Sequence, residues 1–344
     1  MAPYDRDSFL AGLAAGLVGG VNKHEVIKQI VPYLTFSSPS SFTLAIANNT
    51  KNWDGKLEYS TDTQNWTEWD GTTTLSSGSD NKLYLRGTNN HSISNNQTSY
   101  YNPQKRFIIV GSRVSCTGDI RTILDYKNPE NAIMDPYCFN GLFYNCSALI
   151  KAPELPSLSL DSANECYSQM FYGCLNLNEA PKLPATTLET SCYSRMFSGC
   201  TSLQTAPELP ATKFTASCYY YMFSGCISLV DPPIIRATEL TIGSIPDSSC
   251  CRGMFNGCTS LKKLSKLPLK NLSRWCYRNM YKGCEKIKLS IVQTEEYSTP
   301  YIIPYNGTGT ESTDSLLDMF TDTGGTFTGT PEINTTYYTS NEII

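Results

Sequence analysis

Twelve of the fourteen cysteines stand in six pairs, Cys138/Cys146, Cys166/Cys174, Cys192/Cys200, Cys218/Cys226, Cys250/Cys258 and Cys276/Cys284, each eight residues apart. A thiol can serve as nucleophile, metal ligand or disulfide partner, and the spacing decides among them. No C-x-x-C pair occurs, so the usual half of a zinc site is missing and no metal is expected. If each pair lies on a helical segment, eight residues rise about 12 Å. That exceeds the roughly 7 Å Cα separation a disulfide tolerates. Pairing within a unit is therefore not expected, while bridges between neighbouring units stay open. A Cys–His or Ser–His hydrolase has little to draw on, because the only histidines are His24 and His91. No G-x-S-x-G, H-E-x-x-H, P-loop or G-x-G-x-x-G pattern is present, and no cofactor is expected. Glycoside hydrolysis needs only two carboxylates, yet no pair of acids stands in a recognisable setting.

Binding residues are better represented. Trp66 and Trp69 lie three apart in "NWTEWDG". An odd separation on a strand puts them on opposite faces. One belongs to the core, and the other is either a sugar-stacking platform or the rim of an interdomain contact. The repeat tyrosines Tyr167, Tyr193, Tyr219 and Tyr277 are further candidates for ligand contact. Residues 262–288 carry nine Lys and Arg against one acid, Glu285, whereas residues 290–344 carry eight acids and no Lys or Arg. Arg274, Arg278 and Lys282 are four apart and line one helical face. Either the acidic end folds back on this basic segment, or part of the basic face takes an anionic surface polymer. A net charge of −4 gives no reason to expect nucleic acid.

The elements that position these residues follow from periodicity. Residues 1–32 read as a short helical leader. Gly12, Gly16 and Gly20 share one of its faces and suit either close helix approach, for assembly with other proteins or with itself, or a glycine-weakened tail. The run "FLAGLAAGLVGGV" is preceded by the net acidic "PYDRD", so a secretory signal peptide is not expected. It is also too short to span a membrane. Over residues 33–115 the period is two, in "FTLAIAN", "KLEYST", "KLYLRGT" and "RFIIVGS", separated by turn residues. This reads as an antiparallel, immunoglobulin-like β-sandwich.

Residues 116–290 hold the six cysteine units, with steps of 26 residues in three of five cases, 28 in the first and 32 in the fourth. The extra residues near 234–248 read as a surface loop. In each unit the first Cys, a Met or Leu, and the second Cys fall at i, i+4 and i+8, one face of a short helix. A Gly or Asn before the second Cys stops it. An aliphatic residue follows three positions later (Leu149, Leu177, Leu203, Leu229, Leu261 and Ile287), then a short extended run ending in "LP". Such a unit cannot bury its own apolar side, whereas stacked copies can. The cysteines form a structural ladder, each marking an inward site for a small, soft side chain.

"MFSGCTSLQTAPELPATKF" resembles the BspA-like leucine-rich repeats, with their M-F-x-G-C-x-S-L core, found in surface proteins of gut bacteria and their phages. "LEYSTDTQNWTEWDG" and "SCTGDIRTILDY" are similar to the β-domain that precedes such arrays, and "DTGGTFTGTPEINTTYYTS" to their terminal cap, here residues 291–344. The resemblance implies a multidomain chain: N-terminal helix, Ig-like β-sandwich, leucine-rich-repeat α/β solenoid and cap. It also implies adhesion rather than catalysis. The expected role is a phage or prophage virion component, such as a tail, fibre or head-decoration protein, that binds a bacterial surface or glycan. The alternatives are a bacterial surface adhesin for host matrix or mucosal ligands and a purely structural virion spacer.

Overall fold

The computed structural model describes residues 33–344 except 50, 52, 95, 97–102, 104, 242–247 and 306. The leader with Gly12, Gly16 and Gly20 lies outside the described residues, as does much of the loop expected near 234–248. No helix among the described residues is long and apolar enough to cross a membrane.

Alternating burial creates the strands of the first part. β1 (Leu34–Ser37), β2 (Thr43–Ile46), β3 (Lys56–Ser60), β4 (Thr67–Glu68), β5 (Leu75–Ser76), β6 (Lys82–Thr88), β7 (Phe107–Val110), β8 (Val114–Thr117) and β9 (Leu149–Lys151) form two small sheets. One has the order β4-β3-β6-β1-β8-β9 and the other β5-β2-β7. Phe36 of β1 sits opposite Leu83 and Cys116 in the first sheet, while Leu44 of β2 sits opposite Leu75 and Ile109 in the second. The apolar residues of each sheet meet between them. The ring of Phe36 packs edge-on to Phe107 at 6.2 Å, and Trp69 packs between Trp53 at 5.5 Å and Phe107 at 6.4 Å.

The expected fold needs correction on two counts. The sheets are small and unclosed, and the larger is not purely antiparallel. Its edge strand β9 comes from the first cysteine unit and runs parallel to β8. The Ig-like sandwich is therefore not what these residues form. Nor is there an α/β solenoid, since the helix of the described residues amounts to three 3-10 turns of three or four residues.

The reason lies in the backbone of the repeat. Every fourth residue is left-handed, as at Glu165, Gln169 and Gly173, with φ of 54°, 55° and 67°. An α-helix cannot run through such residues. The chain instead makes a ribbon of consecutive four-residue turns. The amides of Ser168, Met170, Tyr172 and Cys174 each bond the carbonyl three residues back, at 3.0–3.2 Å. The amides between them turn outward to the next unit: Tyr167 to Cys192 O, Gln169 to Ser194 O, Phe171 to Met196 O and Gly173 to Ser198 O. A period of four places i, i+4 and i+8 on one side, so the common face read from the sequence survives without a helix.

The same ribbon recurs seven times. The seventh copy, around Asp314, Asp318 and Asp322, has no cysteine and keeps the left-handed residues at the same spacing. Its Ser315, Leu317, Met319 and Thr321 carbonyls accept the amides of Tyr277, Asn279, Tyr281 and Gly283. Aromatic rings stack in columns from unit to unit. Phe143, Phe171, Phe197, Phe223, Phe255, Tyr281 and Phe320 form one, at centroid steps of 5.5–6.0 Å. Phe139, Tyr167, Tyr193 and Tyr219 form a second.

All fourteen cysteines are free and buried. The second cysteine of each unit acts as a donor. The thiols of Cys174, Cys200, Cys226, Cys258 and Cys284 point at the carbonyls of Phe143, Phe171, Phe197, Phe223 and Phe255 in the preceding unit, each at 3.1 Å. Burial pushes the Cys146, Cys226 and Cys284 thiols up to about 12. Such thiols are poor nucleophiles. The native protein should accordingly show almost no reaction with DTNB, whereas the unreduced, denatured chain should release close to fourteen equivalents. Fewer than half that count would mean that bridges form between units.

Candidate functional site: a guanidinium and aromatic strip

The residues proposed from sequence scatter once placed. Tyr167, Tyr193, Tyr219 and Tyr277 are at most 2% exposed, because they occupy the inward columns, and they cannot meet a ligand. Trp69 is buried too, its indole N–H donating to Thr73 O at 3.0 Å. Trp66 is half-buried, but one ring face is taken by the Arg86 guanidinium at 4.0 Å. That guanidinium also lies 4.4 Å from the Tyr126 ring and bonds Glu58 at 2.7 Å. Trp66 is thus part of an internal stack. His91 pairs with Asp54 at 3.5 Å, beside an open cleft of about 670 Å³. The cleft sets Lys56 and Lys127 against Asp54 and Glu58, which gives it no net preference for an ion. Among the described residues no group of three or more His, Cys, Asp or Glu could hold a metal.

The acids of the chain end do fold back on basic residues. Lys263 bridges Asp231 at 3.3 Å and Glu342 at 3.2 Å, Lys288 meets Glu296 at 3.4 Å, and Arg278 approaches Asp314 at 4.0 Å. Lys263 and Lys288 are partly to well exposed, and such pairs contribute little each.

Arg274 and Arg278 lead to a different assembly. In the four-residue period Arg274, Arg278 and Lys282 occupy equivalent turn positions, all half-buried. Arg278 is preceded at its own position in earlier units by Arg252 and Tyr220, and the adjoining left-handed position carries Arg195 and Tyr221. These side chains form a continuous strip on the outer side of the ribbons. The Arg195 guanidinium lies 5.2 Å from the Tyr220 ring and 5.9 Å from Tyr221. Arg252 lies 5.8 Å from Tyr220 and 5.3 Å from Trp275. Arg274 covers Trp275 at 4.1 Å. Tyr220 and Tyr221 pack edge-on at 4.7 Å, and Asn279 donates to the Tyr221 hydroxyl at 3.3 Å. Gly253 leaves the room that Tyr221 fills, since a Cβ there would stand 2.4 Å from its ring.

Comparison with known proteins finds no family model, no curated protein and no solved structure that matches this chain. Its reading rests on the strip itself.

Cations over rings contribute about 0.5–2 kcal/mol each, depending on desolvation. They also hold the guanidinium planes in fixed places, so less side-chain freedom is lost when a ligand binds. The Arg252 Nε has no hydrogen-bond partner. Chemically the strip offers flat apolar faces next to fixed positive donors. Sequence reading missed Arg195, Tyr220, Tyr221, Arg252 and Trp275. The letters that repeat between units are the inward ones, while the strip is written in those that change: "SR", "YY", "RG" and "RN" before the Met.

Proposed function

We propose that this chain is a non-enzymatic recognition protein that attaches to a glycan-bearing cell surface, as a tail, fibre or head-decoration component of a virion. The observation that carries the reading is the strip from Arg195 to Trp275. Aromatic faces stack on sugar rings, and guanidinium forks supply directed donors beside them. The resemblance of the repeat core to BspA-like surface proteins points the same way. The buried free thiols suit a chain that folds in a reducing compartment, as a virion protein does before release, better than one exported to an oxidising surface.

Purified full-length protein, fluorescently labelled, should decorate bacterial cells. Tyr220→Ala and Arg252→Gln, at half-buried outer positions, should each lower that decoration by roughly tenfold, the equivalent of about 1.4 kcal/mol. The thermal midpoint should barely move. Undiminished decoration by both variants would remove the strip from the attachment surface. Binding to mucin or matrix protein in place of bacterial cells would favour the adhesin alternative.

A further inference from the structure

We infer that the ligand of the strip is an acidic glycan, a polymer of sugars that carry carboxylates. The inference rests on the recognition reading above and specifies its ligand. Four arginines, Arg195, Arg252, Arg274 and Arg278, lie along the strip, and Asp314 of the seventh ribbon approaches it at one end. The placement of Asp314 is informative. One of its carboxylate oxygens accepts the Trp275 indole N–H at 3.3 Å and lies 4.0 Å from an Arg278 nitrogen. The protein therefore seats a carboxylate of its own between an indole N–H and a guanidinium. The same combination of ring and guanidinium continues through Arg252 and Tyr220 into the preceding units, with no acid paired to Arg252 among the described residues.

Guanidinium planes match carboxylates in a two-pronged geometry that a neutral sugar cannot use. The rings between the cations need a partner with a flat apolar face, and a pyranose has one. A polyanion without sugar rings would use the charges and leave the rings idle. A neutral glucan would use the rings and leave the guanidiniums without partners, which is costly where they are partly desolvated. A uronate polymer satisfies both. The direction of the strip adds to this, since it crosses successive units and presents the same pair of groups repeatedly to a repeating chain.

The test uses the intact protein and three polymers: polygalacturonate, dextran and inorganic polyphosphate. Polygalacturonate should bind, and its affinity should fall by roughly tenfold or more between about 50 and about 500 mM salt as the screening length shortens. Dextran and polyphosphate should bind roughly tenfold more weakly at the lower salt. Arg252→Gln should reduce polygalacturonate binding with an unchanged thermal midpoint. Asp314→Asn should increase it, because Trp275 and Arg278 then lose the internal carboxylate. Dextran binding as well as polygalacturonate would overturn the acidic ligand and leave the glycan reading standing. Polyphosphate binding as well would show that charge alone is read, and would overturn the sugar acid. No binding to any of the three, with cell decoration still lost in Arg252→Gln, would overturn the glycan and leave recognition of another surface component. An unchanged affinity in Asp314→Asn would remove the argument from the internal carboxylate.

Discussion

Raising the pH through about 9 to 10 should unfold this protein in one steep step. Burial holds thirteen of the fourteen thiols above the ordinary thiol value of 9.0. At Cys250 burial is opposed by thiol hydrogen bonds from Cys251 and Cys276, and it is left out of the count. A thiol is neutral when protonated. In the unfolded chain the thiols release their protons around pH 9, whereas in the folded chain they keep them to about 12 or beyond. Above pH 9 the unfolded state therefore binds fewer protons, and stability falls as pH rises. Below about pH 8 the full stability is present. Each group contributes about 1.4 kcal/mol per pH unit once the unfolded thiol is ionised. Thirteen together remove about 5 kcal/mol at pH 9 and about 18 kcal/mol at pH 10 by linkage. Whole-domain stabilities are about 5–15 kcal/mol, so the midpoint falls inside that window. Buried tyrosines Tyr167, Tyr193, Tyr219, Tyr277 and Tyr301, also raised by burial, add to the slope above pH 10. Far-UV circular dichroism in anaerobic, reducing buffer should show the transition, with release of about a dozen protons across it. A protein that stays folded to pH 11 would contradict the burial of the thiol columns.

The thiol columns also show how far the sequence could be read. Cys, Met and Cys at i, i+4 and i+8 require a shared side, and the shared side exists. They do not distinguish a helix of 3.6 residues per turn from a ribbon of four-residue turns, because over eight residues the two drift apart by less than a quarter turn. The deciding signal lay at the left-handed positions. Gly173, Gly199, Gly225, Gly257 and Gly283 end each ribbon, and Asn145 and Asp322 replace them at the first and seventh; these residue types tolerate that conformation best. The seventh ribbon stayed hidden because "SLLDMFTDT" keeps the Met–Phe pair and drops both cysteines. The tyrosines were misplaced for a related reason. A letter repeated in every unit is more often packed against its copies than offered to solvent, and Tyr193 between Tyr167 and Tyr219 is an instance. The expected sandwich failed at β9, since no local pattern in "LIK" announces a parallel partner more than thirty residues upstream in β8.

Replacing Phe197 by Ala should cost about 3–5 kcal/mol, the range for an aromatic ring lost from a core that only partly relaxes. Phe197 is fully buried. Its ring stacks on Phe171 at 5.7 Å and on Phe223 at 5.6 Å, each within 8° of parallel. Removing it breaks both contacts, and ring pairs contribute about 0.5–1.5 kcal/mol each beyond their area. The neighbours cannot close the gap, because the backbone ladder fixes the spacing: the Phe197 amide bonds Met222 O at 2.9 Å, and its carbonyl takes the Cys226 thiol at 3.1 Å. Phe197→Leu keeps more of the volume and should cost roughly a third as much. The manner of unfolding carries as much information as the midpoint. Buried residues from Leu34 to Tyr337 belong to one continuous core, and β9 ties the first unit into the sheet that contains β1 and β8. The Phe197→Ala loss should therefore be shared. Trp69 fluorescence, reporting on the two sheets, and circular dichroism, reporting on the whole chain, should fall together at a midpoint lowered by about 5–15 °C. If Trp69 holds the wild-type midpoint while the circular dichroism drops early, the ribbons melt apart from the sheets. The β8–β9 junction would then not be strong enough to make them one cooperative unit.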